Sequence, residues 1–117
     1  MKKFVAALAL GVALIAAPAA YADTMENSYG NTIVVTYANG SQTLFFFNAD
    51  GTFTGTAPGG SQMAGRYTVE GDQLCLISPN GQAPQCTSVA AGKNVGDTWT
   101  QTATDGSQIN VELRAGR

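Results

Sequence analysis

The sequence contains no histidine, two cysteines, one tryptophan and only 12% charged residues. Without histidine, Ser-His-Asp and Cys-His nucleophilic sites and most zinc sites are excluded. Cys75 and Cys86 lack the C-x-x-C spacing of a redox pair. In an oxidising compartment they are expected to pair, which restricts the unfolded chain by roughly 3 kcal/mol. After position 22 the basic residues are Arg66, Lys93, Arg114 and Arg117. Four are too few for a stripe against phosphates, so nucleic acid is not an expected partner.

Other sources of chemistry are equally thin. A Ser-Lys dyad would have to use Lys93, which sits in a glycine-flanked loop. Glu70 and Asp72 straddle a turn, where exposed acids keep ordinary acidity and make poor general acids. Asn48, Asp50, Gly51 and Thr52 begin like an oxygen-ligand calcium loop, but no closing Glu follows at the required spacing. Gly59-Gly60-Ser61 lacks the Gly-Lys-Ser/Thr ending of a phosphate loop. No catalytic residue, metal or cofactor is therefore expected.

What the sequence does have begins at the N-terminus. Lys2 and Lys3 precede an apolar run from Phe4 to Ala17, then Pro18, then the small-x-small site Ala20-Tyr21-Ala22. The run is short of the roughly 20 residues of a membrane span, so it reads as a Sec-type signal peptide, 1–22, cleaved after Ala22. No Arg-Arg pair and no nearby cysteine divert it to another route. A periplasmic or secreted location is expected. The remaining 23–117 is one domain's worth of chain. With Lys2 and Lys3 gone, four basic residues face eight acidic ones, a net charge of −4.

No helical period marks this remainder. Short alternating runs are broken by Asn39-Gly40, Asp50-Gly51, Gly59-Gly60, Gly71, Gly81 and Asp105-Gly106, the pattern of β-hairpins. Eight strands are predicted, at about 31–38, 41–49, 52–57, 62–69, 73–78, 83–90, 97–104 and 107–114. Each break is short, so each strand is expected to pair with the next in an antiparallel meander. Closure into a small up-and-down barrel removes the exposed edges. Two stacked sheets are the alternative. The strands fall short of the roughly 9–11 residues of a membrane barrel, and Thr36, Arg66, Thr68, Thr100, Thr102 and Glu112 face outward.

Register follows from the turns. A Glu70-Gly71 turn sets Tyr67 opposite Leu74, and puts Met63, Tyr67, Val69, Leu74 and Leu76 on one face. A four-residue loop, Pro79 to Gln82, places Cys75 opposite Cys86 at a non-hydrogen-bonded site and spares Pro84 a donor it lacks. A three-residue loop, Thr104 to Gly106, sets Trp99 opposite Val111 and Gln101 opposite Ile109. Phe45-Phe46-Phe47 is apolar on both faces. With Phe46 inward and a two-residue Asn39-Gly40 turn, Phe45 and Phe47 lie outside beside Val34, where they mark a partner surface or are covered by 23–29. Phe46, Phe53, Tyr67 and Trp99 would then line an interior cavity.

The segments Phe47-Asn48-Ala49-Asp50-Gly51-Thr52-Phe53, Gly65-Arg66-Tyr67-Thr68-Val69 and Gly71-Asp72-Gln73-Leu74-Cys75, with the second Cys86, resemble small secreted bacterial β-meander proteins loosely described as lipocalin-like. The resemblance spans about 30–90 and implies a fold without a chemistry. Met63-Ala64-Gly65-Arg66-Tyr67 with Gly71 is also similar, at a different spacing, to periplasmic lysozyme-inhibitor barrels. Those present a serine and a basic residue to the enzyme's carboxylates, which implies Ser61 and Arg66 here.

The expected function is that of an exported, non-enzymatic binding module for a small apolar ligand or an envelope protein. Phe45, Phe47, Tyr67 and Trp99 are the candidate contacts. A structural or inhibitory envelope protein, lysozyme-inhibitor-like, is the alternative.

Overall fold

Eight strands form where the hairpin signals place them. The computed structural model describes residues 23–103 and 105–117; the expected leader, 1–22, and Thr104 lie outside the described residues. The strands are β1 (Thr32–Thr36), β2 (Gln42–Phe47), β3 (Thr52–Thr56), β4 (Gln62–Glu70), β5 (Gln73–Ile77), β6 (Gln85–Ser88), β7 (Thr98–Thr102) and β8 (Gln108–Arg114). No helix among the described residues is long and apolar enough to cross a membrane.

The strands form one antiparallel sheet in the order β6-β5-β4-β3-β2-β1-β8-β7, curled into a half-barrel. Consecutive strands pair at every step except one. β6 and β7 are the two edges, and β1 and β8 join instead, with Val35 opposite Val111. β6 is short and preceded by Pro84, which has no N–H to donate. The connection that follows it, 89–97, is tied elsewhere: Ala90 O accepts from the Thr24 hydroxyl, Lys93 N–H donates to Thr24 Oγ1, and Lys93 O accepts from Asn27.

Because successive strands run oppositely, the turns sort into two ends. The turns after β1, β3, β5 and β7 form a mouth. The turns after β2 and β4, the 89–97 connection and the segment after β8 form a floor. Helical residues 23–28 plug the floor, a correction to the helix-free expectation. These residues show no apolar period of their own in the sequence and are held by tertiary contacts. Among them Met25 is 6% exposed and packs with Phe47, Phe53, Tyr67 and Val89. Residue 117 also ties the floor, its guanidinium donating to Phe47 O and Asn48 Oδ1 and its Nε to Asn31 O.

Four turns share one frame. Tyr37, Asn48, Ala57 and Ala103 each donate N–H to the carbonyl four residues on, at 2.9, 2.9, 2.7 and 2.7 Å. Gly40, Gly51, Gly60 and Gly106 donate back to those same residues with φ of +88°, +88°, +97° and +89°. This is a three-residue loop ending in a left-handed glycine. In three of them a carboxamide or carboxylate oxygen, from Asn39, Asp50 or Asp105, accepts both the N–H and the hydroxyl of Ser41, Thr52 or Ser107. At the mouth the frame is longer still. Gln42, Gln62 and Gln108 each donate to Thr36, Thr56 and Thr102, so Thr-x-x-x-Gly-Ser-Gln recurs three times.

The first of these loops corrects the expected faces. A three-residue loop in place of two pairs Ile33 with Phe45 and Val34 with Leu44, and one residue of slip exchanges the faces of the whole strand. Phe45 and Phe47 therefore point inward and Phe46 outward. The β4–β5 turn is Gly71-Asp72, setting Tyr67 opposite Leu76 and Val69 opposite Leu74. Gly71, at φ +60°, takes the left-handed position that Glu70 would have had to adopt in the expected turn. Here the shift is even, so Met63, Tyr67, Val69, Leu74 and Leu76 keep their common inner face. Cys75 stands opposite Cys86 and is bonded to it, with Cα atoms 4.0 Å apart as befits a non-hydrogen-bonded pair. Trp99 stands opposite Val111 and Gln101 opposite Ile109, as a three-residue final loop requires.

Candidate functional site

The inner face divides into two packed groups. Toward the floor, Phe47 stacks on Phe45 at 5.8 Å, tilts against Phe53 at 6.0 Å and meets Tyr67 edge-on at 5.2 Å. Such pairs add to the burial of their area. Under β1 and β8, Val35, Ile109 and Val111 are buried, with Trp99, Tyr37 and Ala103 against them. Ile33 and Phe45 belong to both groups.

Between these groups and the β6–β7 seam lies a cavity of about 290 Å³. One wall is aliphatic and aromatic: Ile33, Val35, Phe45, Phe47, Ile109 and Val111. The opposite wall is Leu74 and Leu76 with β6 residues 85–88 and Val89. Trp99 and Gln101 line it from β7, with Ala103 just beyond that strand. Thr24 and Met25 form its floor, and Tyr37, Asp105 and Ser107 stand at its mouth. The seam above it is crossed by side chains instead of a ladder. Gln101 accepts from the Trp99 indole N–H at 2.9 Å and donates to Ser88 O at 3.2 Å. Among the described residues no buried side-chain polar atom lacks a hydrogen-bond partner, so nothing inside demands a polar ligand atom.

Of the residues singled out in the sequence, Phe45, Phe47 and Trp99 line the cavity. Tyr67 does not. It lies below, donating to Asn48 O at 2.7 Å and accepting from the Tyr29 hydroxyl at 2.9 Å. Burial, and then the Tyr29 hydroxyl, raise its pKa above the ordinary phenol value, so it stays neutral. Phe46 and Phe53 were also expected at the cavity. Phe53 packs in the floor group, and Phe46 lies outside under the Arg117 guanidinium, 5.5 Å from its centroid. The outer surface expected from Phe45 and Phe47 is absent because both rings are inside. Segment 23–29 covers the barrel floor instead.

Ser61 and Arg66 are not brought together. They stand five residues apart along β4, roughly 17 Å at strand spacing, with Ser61 at the mouth and Arg66 beside the floor turn at Gly51. Glu70 and Asp72 are exposed. No three of His, Cys, Asp and Glu converge among the described residues. The cavity residues not singled out in the sequence, Ile33, Val35 and Ala103, follow from alternation, the first two with Val34 and Thr36 outward and the third with Trp99 and Gln101 inward.

Comparison with protein-family models, with curated proteins and with solved structures returns no match for this chain.

Proposed function

We propose that the chain is an exported, non-enzymatic carrier that holds a small apolar ligand inside its half-barrel, lipocalin-like in that broad sense. The carrying observation is the apolar cavity under the unpaired β6–β7 seam, closed at the floor by the helix. Its volume lies near the lower end of small-molecule sites, roughly 300–1,000 Å³. The disulfide is compatible with an oxidising compartment, in keeping with the leader read at 1–22.

An eight-carbon chain offers roughly 0.8 kcal/mol per buried CH₂. After the loss of ligand freedom, dissociation constants between about 10 µM and 1 mM are expected. Trp99 is the only tryptophan and lines the cavity, so its emission reports occupancy. Titration with 1-octanol should give a saturable change in emission. Ala103→Phe, which fills the mouth side of the same cavity, should abolish that change while the far-UV circular dichroism stays β. Unchanged emission in the native chain, or equal binding by the filled variant, would overturn the proposal.

A further inference from the structure

The cavity has an electrostatic polarity. Among the described residues no lysine or arginine is part of its wall, and the one carboxylate lining it, Asp105, stands at the mouth with the neutral groups of Gln85, Ser107 and Tyr37. Resting on the carrier reading above, we infer that the ligand is an apolar chain or ring ending in a cationic or neutral polar group, seated with that end at the mouth beside Asp105, and that anionic amphiphiles are discriminated against. The interior supplies no cation to offset the desolvation of a carboxylate or sulfate, and Asp105 repels one at the entrance. A cation at the same place gains from Asp105 without entering the apolar interior.

Two further observations bear on this. Ser107 gives Asp105 Oδ1 both its N–H and its hydroxyl, which keeps the carboxylate ionised at neutral pH. Lys93 reaches a wall residue, its ammonium 5.3 Å from the Trp99 ring centroid. It does so at the floor end of β7, away from Asp105, with its backbone tied to Thr24 and Asn27. An anionic ligand would therefore have to bind reversed, head toward the floor.

The test compares 1-octanol, octylammonium and octanoate at neutral pH and low salt, by Trp99 emission. Octylammonium should bind at least about fivefold more tightly than octanoate, a ratio that shrinks in high salt. Asp105→Asn should bring the ratio close to one. That variant keeps the turn, because Asn39 already makes the same two hydrogen bonds in the first hairpin. Lys93→Gln should leave the order unchanged. Octanoate binding as well as or better than octylammonium, or a ratio unmoved by Asp105→Asn, refutes the inference and spares the carrier reading. Silence with all three ligands refutes both.

Discussion

Phe46 and Phe47 are adjacent in sequence and opposite in fate, and their truncation measures which face of β2 is the core. Phe47 is 3% exposed and touches three other aromatic rings. Phe47→Ala removes a buried ring and leaves a hole that the curved sheet cannot fully collapse, at about 3–5 kcal/mol. Phe46 is half-buried on the outer face, beneath Arg117. Phe46→Ala loses part of its area and one cation–π contact, about 1 kcal/mol in all. Total stability for a domain of this size is on the order of 5–15 kcal/mol, so Phe47→Ala can approach unfolding. Phe47→Leu, expected at about 1–2 kcal/mol, keeps the comparison measurable. The assay is urea denaturation followed by far-UV circular dichroism. Equal losses at the two positions, or a larger loss at Phe46, would refute the three-residue first loop and the face assignment that follows from it.

Gly65 stands opposite Phe53 on β3, and a methyl there would collide with Ile77 O and press on the Phe53 ring at 3.0 Å; Gly65→Ala should destabilise by about 1–3 kcal/mol in the same assay. Cys75→Ser with Cys86→Ser should lower stability by about 3 kcal/mol, close to the loop-closure value, and leave the strand content intact. The carboxyls of Asp50 and Asp105 are held below their usual range, chiefly by the side-chain hydroxyls of Thr52 and Ser107. A depressed carboxylate contributes stability above its unfolded value near 3.8 and loses it as pH falls through the folded value. Urea midpoints should therefore fall as the pH drops below about 4, and fall less in the Asp50→Asn, Asp105→Asn double variant; an identical slope would refute that assignment.

Strand positions were legible because glycine-containing turns punctuate them. The three-residue final loop and the Cys75–Cys86 register were legible because burial and proline each excluded the competing loop. The first hairpin differs by one residue from the two-residue turn that Asn39-Gly40 suggests, and Phe45, Phe46 and Phe47 exchange faces with it. The correcting signal was in the chain. Thr36 to Gln42 has the same frame as Thr102 to Gln108, so the loop length accepted in one place applies in the other. The β1–β8 junction is what barrel closure of a meander requires, whereas the β6–β7 gap was not legible, because the short break between those strands reads like any other hairpin turn. The floor helix was not legible either, since its stability comes from contacts with Phe47, Val89 and the 89–97 connection. Without those inner-face assignments, the cavity wall could not be assembled from periodicity alone.

The account rests on an interior that accepts an apolar guest, and side-chain methyl NMR of the native chain during 1-octanol titration tests it most directly. Saturable shifts are expected at Ile33, Val35, Leu74, Leu76, Ile109 and Val111, with Val34 and Leu44 on the outer face unmoved. Shifts confined to the outer methyls, or none at any methyl up to the solubility limit of octanol, would contradict it.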